Sequence, residues 1–534
     1  ETDDTESLAS ESLSLEFIRK ESAYASIVTI NELLTPFTLN ANQENKKEQV
    51  LGKKHQQLLV ERQQLTDLFI EHYHSDRRAT LVAVKAAEYA FEQKNIDDVI
   101  RYSDFVLKTY QVNSSLGVKS QKQNIAKLDK IALKQVAIVT QLKANIRYQF
   151  KQYSQSEQDY LLALNFVSGK STKQVLNELV ASSIYEQAKS DKALATELTN
   201  ESAIKHYLRL GQLVPQSKYR ANAEFDAANL LLAGKKWSRA IGVLTQLKQQ
   251  FPLHQYVSTI PAKLALCYES LGDWSQAAKQ LLVMVSTEKD VELKRESQYT
   301  AAEYYLKAGD FNNALINFRT YAHQYPEPFG IAQEVRFKMS EFYRKSKEAN
   351  KRYFWYKKMI KYHQEQATIS EDNLERSTYL VSYAALNLGQ AHQQTFNQIK
   401  LKVPLNKSLK RKQKAMKKAI HYYQLVFKEQ LAEFVPKANY SIGQLYRNLA
   451  QDVMKSERPK DLDELALEEY EFVLEEIAYP FEEKAIEIHQ ANAERAWDNI
   501  YDEWIKQSLA ALAELDPAKY NKYETVPEVF DVIF

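Results

Sequence analysis

Four helical signatures recur along this chain at one fixed interval: a small residue followed four positions later by a large one, at Ala203–Tyr207, Ala240–Leu244, Ala277–Leu281 and Ala314–Phe318. The alanines are 240−203, 277−240 and 314−277 apart, 37 residues each time. A fixed interval of this size is expected of tandem copies of one supersecondary unit. Residues four apart share one face of a helix. The small one lets a neighbouring helix come close and the large one fills the groove beside it. Trp237, Trp274 and Phe311 stand three residues before the last three alanines, behind the short turns GKKW, LGDW and AGDF. Upstream lies a second small-then-large pattern, at Ala228 with Leu231, Ala265 with Tyr268 and Ala302 with Tyr305. Pro215, Pro252 and Pro326 then stop the later helix, because proline lacks the amide donor and clashes with the preceding turn. Each unit reads as a closed helix-turn-helix hairpin.

Composition agrees with long helices joined by short loops. Only 11 Gly and 12 Pro occur in 534 residues, too few for the many tight turns of a sandwich, barrel or doubly wound sheet. With 44% hydrophobic and 26% charged residues the chain is expected to fold. No run of eighteen apolar residues predicts a membrane-spanning helix. The opening ETDDTESLASES has the composition of a solvated acidic tail over residues 1–14. A start at Glu1 rather than Met leads to the expectation that a signal peptide, an anchor or another domain has been removed upstream. The single Cys267 excludes an intramolecular disulfide framework and leaves the compartment open.

The order small residue, Tyr, Gly-Asp-aromatic turn, Ala, aromatic, closing Pro, clearest in LALCYESLGDWSQAAKQLL, resembles the tetratricopeptide repeat over about residues 178 to 327. The family period is about 34, so a period of 37 predicts a few extra loop residues per unit. Divergent units are read on both sides: Ala87, Ile96 and Val99; Ala144, Tyr153 and Tyr160; Tyr343 and Tyr356, with Arg352 in the small-residue place; and Ala419–Tyr423, Gly443–Tyr446 and Ala466–Tyr470. The resemblance implies an all-α fold, a right-handed α-solenoid of about nine or ten helical hairpins, divergent at both ends. The expected divisions are a tail at 1–14, an N-terminal hairpin at 15–75 and divergent repeats at 76–177. A core array at 178–363, long-helix repeats at 364–517 and an extended tail at 518–534 follow. Leu51, Leu58 and Leu65, extended by Leu68 and Phe69, form a seam in the N-terminal hairpin. Either it zips that hairpin as a short coiled coil or it docks on the first repeat.

In that family the first helix of each hairpin lines a concave groove. The resemblance therefore implies a groove of Phe225, Asn229, Leu266, Glu269, Tyr299, Glu303, Lys307, Phe337, Glu341, Arg344 and Lys345, growing basic toward Arg344. It also implies a non-catalytic scaffold or adaptor that grips a protein or peptide. The alternative is a structural subunit of a bacterial envelope or motor-associated assembly. The closing LAELDPAKYNKYETVPEVFDVIF is similar to bacterial envelope tetratricopeptide proteins of energy-transducing or gliding-type motors, which implies a periplasmic location, with the cytoplasm as alternative.

Motifs for chemistry are absent. SGKST at Ser168–Thr172 ends like a phosphate-binding loop, but Leu164 stands where the motif needs its first glycine. His72 and His74 are two apart, which on a helix points the rings to different faces. Cys267 has no recognisable His partner and is read as structural. No catalytic residue, cofactor, metal or small-molecule substrate is expected. Asn113 and Asn406 begin Asn-x-Ser matches that matter only in a secretory eukaryotic setting.

Charge is more informative. The net charge is only +2, yet a basic run holds Lys400, Lys402, Lys407, Lys410, Arg411, Lys412, Lys414, Lys417 and Lys418 without an intervening acid. Lys347, Lys351, Lys357, Lys358 and Lys361 precede it, and Asp461 to Glu487 answers it with a strongly acidic stretch. A patch of Lys410, Arg411, Lys412, Lys414, Lys417 and Lys418 is the candidate site for an acidic partner. The plain alternatives are two solvated helix faces, or a basic unit packed on its acidic neighbour. Nucleic acid is disfavoured by the near-neutral total and by the lack of a regular aromatic platform.

Overall fold

The computed structural model describes residues 15–39, 48–112, 128–366, 370–498 and 501–521. The expected tail 1–14, residues 522–534 and Asn113 lie outside them. Every regular element among the described residues is helical. The chain forms two compact units, Glu1–Gly272 and Asp273–Phe534.

The first unit contains α1 (Leu15–Leu39), α2 (Glu48–His72), α3 (Arg77–Glu92), α4 (Ile96–Thr109), α5 (Lys130–Gln149), α6 (Tyr153–Ala163), α7 (Lys170–Ala193), α8 (Glu197–Leu213), α9 (Arg220–Ala233), α10 (Trp237–Gln250) and α11 (Ile260–Ser270). The second contains α12 (Trp274–Thr287), α13 (Val291–Lys307), α14 (Phe311–Gln324), α15 (Phe329–Lys345), α16 (Ala349–Glu365), α17 (Glu371–Asn397), α18 (Leu405–Glu429), α19 (Val435–Met454), α20 (Glu464–Ala493), α21 (Glu503–Leu515) and the turn α22 (Pro517–Tyr520). Within each unit helices pack chiefly on their neighbours in sequence, as α3 on α4, α7 on α8, α13 on α14, α17 on α18 and α19 on α20. This is the α-solenoid arrangement of helical hairpins, each burying its apolar stripe against the next.

The repeat is visible in the turns. Lys235, Gly272 and Gly309 adopt left-handed backbone conformations at 272−235 and 309−272, again 37 residues apart. A left-handed residue ends one helix, and the next residue or two begin the following one: Asp273 and Asp310 each cap it by accepting from the third amide onward. In GKKW the left-handed residue is Lys235 rather than Gly234, so the glycine is displaced by one place from the other two turns.

At the helix crossings Ala203, Ala240, Ala277 and Ala314 are fully buried, with Tyr207, Leu244 and Phe318 buried beside three of them. Tyr268 packs, partly buried, on the cluster of Leu244 and Leu264, and its neighbour Cys267 is fully buried with Leu231 and Ala240, where burial pushes its thiol up to about 11. Two residues depart from the sequence reading. Phe311 is exposed at the start of α14. Pro517 opens the turn α22, so the extended segment expected from 518 begins no earlier than Asn521. At the end of the N-terminal seam Leu65 and Phe69 pack both on Ile27 of α1 and on Ala79 and Val82 of α3, while the side chain of Leu51 lies outside the described residues. Leu68 leaves that seam for solvent.

Two glycines let a ring of the next helix lie against backbone in the second unit. A Cβ on Gly389 of α17 would stand 2.5 Å from the Tyr423 ring of α18, and one on Gly443 of α19 would stand 2.5 Å from His489 of α20. His489 is fully buried, with Nδ1 3.3 Å from the Ser508 hydroxyl. Burial first, and the Arg447 charge second, push its pKa down from 6.5 to about 4. The folded chain thus holds His489 neutral where the unfolded chain protonates it. Its contribution is complete above pH ~6.5 and is lost as pH falls toward ~4, a loss of roughly 3 kcal/mol at most. Urea unfolding of wild type and His489→Gln between these pH values is expected to show a shallower pH dependence in the variant. Equal slopes would contradict the assignment. Gly443→Ala is expected to cost about 1–3 kcal/mol at pH 7 by overpacking the same crossing.

Candidate functional site

The groove residues fall in both units. In the first, Phe225 of α9 stacks on Tyr256 with centroids 4.0 Å apart, and Lys263 bridges it, 5.2 Å from the ring and donating to Asn229 at 2.9 Å. Leu266 and the half-buried Glu269 stand on α11. In the second unit Tyr299 and Glu303 of α13 meet at Lys338 of α15, which donates to the Tyr299 hydroxyl at 3.1 Å and pairs with the Glu303 carboxylate. Burial opposes the Lys338 charge, but Glu303 and Tyr299 outweigh it and raise its pKa. The sequence reading missed Lys338, although it directly follows Phe337 on the helix assigned to the groove. Lys307 lies 4.5 Å from the Trp274 ring, and Phe337 meets Tyr383 edge-on with centroids 5.7 Å apart.

These contacts overturn one expectation: the groove does not grow basic toward Arg344. Arg344 is tied to Glu341 at 2.7 Å, and Arg376 is tied to Glu334 at 2.5 Å. With Glu303 on Lys338 as well, much of the surface charge is paired, and the exposed Lys307 and Lys345 are left without an acidic partner among the described residues.

The basic run behaves differently. It occupies α18, which begins behind Pro404 and buries Leu409, Met416, Ala419, Tyr423 and Val426 at helical spacing. Lys407, Lys410, Arg411, Lys414, Lys417 and Lys418 fall on the opposite face, exposed, and none has an acidic partner among the described residues. Lys412 is the correction. It is 1% exposed, donates to the carbonyls of Phe396 at 3.0 Å and Ile399 at 2.8 Å, pairs with Asp452 of α19 at 2.6 Å, and lies 4.2 Å from the Phe396 ring. It belongs to the core because position 412 falls on the apolar stripe, three residues after Leu409 and four before Met416. Two carbonyls and a carboxylate surround its amine there, the partners that a buried amine requires.

The ridge extends onto neighbouring helices. His392 of α17 stacks on Tyr422 with planes 2° apart, and its pKa is lowered by burial first and then by the charges of Lys357 on α16 and Lys418 on α18. Cations of α16 and α18 thus act together on His392 of the helix between them in sequence. The acidic stretch, on α20, does not neutralise it: among the described residues no ion pair joins α18 to α20, and the Lys412 carboxylate partner is on α19.

No protein-family model matches the chain, and no curated protein matches it. Solved structures similar to it are helical-repeat proteins. The first, described as the structure of Naa15/Naa10 bound to HypK-THB, is 13% identical with a TM-score of 0.24, covering 82% of this chain and 64% of its own. The human IFIT1 dimer with m7Gppp-AAAA is 14% identical over 75% of this chain and 88% of its own, with a TM-score of 0.22. The apo form of RapI is 12% identical over 76% of this chain and 97% of its own, with a TM-score of 0.20. The chain spans less than two thirds of the first of these. Its fold is tetratricopeptide-like. That statement rests on its own hairpins, turns and crossings.

Removing the Lys412 amine takes the lysine partner from the Ile399 carbonyl and the Asp452 carboxylate and empties a core position, whereas its exposed neighbours touch nothing that folding needs. Lys412→Ala is expected to lower unfolding stability by about 3 kcal/mol and Lys410→Ala by less than about 0.5 kcal/mol, both read by guanidinium denaturation. Equal effects would contradict the burial of Lys412.

Proposed function

We propose that this chain is a non-catalytic protein-binding scaffold and that its docking surface is the basic ridge of α18, which takes an acidic helical segment of a partner protein. The observation that carries this is the set of six exposed cations on one face of α18 that remain without acidic partners among the described residues, whereas in the groove Lys338, Arg344 and Arg376 are paired with carboxylates. Like charges three, four and seven residues apart on one helix repel, so the face gains from meeting negative charge. A row of cations from Lys407 to Lys418 presents a linear target, which suits a helix better than a point-like anion. The periodic hairpins supply rigidity, and the Lys412 anchor fixes which way the ridge faces. A location in the bacterial envelope, with a structural role there, is supported by the resemblance of the C-terminal segment.

A synthetic Glu-rich helical peptide titrated by fluorescence anisotropy tests the reading. Binding is expected, weakening with salt as exposed charges are screened. Lys410→Glu with Lys414→Glu and Lys417→Glu is expected to weaken it at least about tenfold, whereas Arg344→Glu with Lys345→Glu leaves it within about twofold. Unchanged affinity in the triple variant, or tighter capture of a single-stranded RNA oligonucleotide than of the peptide, would contradict the proposal.

A further inference from the structure

α20 is a 30-residue helix whose inner face buries Leu474, Ala478, Ala485 and His489. Its outer face is not simply acidic. Leu465, Phe472 and Tyr479 stand seven residues apart and are 68%, 62% and 60% exposed. Seven-residue spacing draws them into a stripe along the helix. Glu468, Glu475 and Glu482 border it on one side, and Glu469, Glu476 and Glu483 on the other, all exposed. Among the described residues Glu483 bonds Tyr479, and the other five have no ion-pair partner. Large apolar side chains in a row, rimmed by one sign of charge, form half of a helix–helix seam.

The same chain carries the other half. On α18, Lys410 with Lys417 and Arg411 with Lys418 repeat at the same seven-residue interval, exposed and unpaired. Among the described residues both faces stay open within one copy, and nothing there offsets the repulsion along each helix, about 0.2–0.5 kcal/mol per close pair. We infer that the acidic, aromatic-striped face of α20 docks on the basic face of α18 of a second copy of this chain. The apolar stems of the lysines lie along Leu465, and their charged ends reach the faces of Phe472 and Tyr479 and the two glutamate rows. The inference rests on the reading of the α18 ridge as a docking surface and names its occupant. A second copy fits because sign, interval and the helical carrier all match between two surfaces present in equal number.

Charge exchange tests this on the full chain, with circular dichroism confirming that every variant is folded. Light scattering behind size exclusion is expected to show self-association at about 100 μM, with at least about a tenfold weaker association constant on raising ionic strength from about 50 mM to about 500 mM. Glu468→Lys with Glu469→Lys, Glu475→Lys and Glu476→Lys turns the α20 face net basic, so that both faces are basic, and Lys410→Glu with Arg411→Glu, Lys417→Glu and Lys418→Glu turns the α18 face net acidic, so that both are acidic; each variant alone is expected to be monomeric. Mixed one to one, the two are expected to associate again, because each now presents the complement of the other. A wild type that stays monomeric at about 100 μM, or association that neither variant disturbs, would overturn the inference. A monomeric wild type that still binds the Glu-rich peptide overturns it while leaving the ridge reading intact. Loss of peptide binding as well removes both.

Discussion

The architecture depends on how closely two helices approach at each crossing. At Ala203, Ala240, Ala277 and Ala314, and at Gly389 and Gly443, a residue with little or no side chain lets a ring or aliphatic group of the neighbour lie against backbone. Interiors pack at crystal-like density, so a methyl group too many at such a point displaces the whole neighbour. Repetition of this contact, with a left-handed residue at each joint, sets the 37-residue rhythm. It also holds each helix in a fixed rotation about its axis. That rotation decides which residues of α18 and α20 meet solvent.

From this follows a division of electrostatic labour. Inside the groove, cations and carboxylates sit on adjacent helices within reach of each other, as Lys338 with Glu303, or one turn apart, as Arg344 with Glu341. Such exposed or half-exposed pairs add little stability, but they cancel field. The ridge of α18 has no such partners, and its field reaches His392. Uncancelled charge is what steers and orients an oppositely charged partner. The best place to look for binding is therefore the outer helix faces of the second unit and not the concave positions that the repeat resemblance singled out.

Much of the fold was legible because alanines and aromatic residues recur at an interval that chance does not produce, and because Gly-Asp turns mark the joints. The hairpin of α19 and α20 was harder to read. Its small residue, Gly443, packs on His489, 46 positions away by number, and no local pattern links the two. Lys412 was hidden among identical lysines, although its phase with Leu409, Met416 and Ala419 would have placed it inside. The stripe of Leu465, Phe472 and Tyr479 was illegible for the opposite reason. α20 is apolar on two faces, and sequence alone does not say which one the neighbouring helix covers.

Lysine acetylation footprinting, read residue by residue on the folded chain with and without a Glu-rich helical peptide, tests the central claim most directly. The account predicts that Lys412 stays unreactive in both states, and that Lys407, Lys410, Lys414, Lys417 and Lys418 react freely alone and are protected by the peptide. Reaction of Lys412 at the rate of its neighbours, or protection confined to Lys307 and Lys345 of the groove, would contradict it.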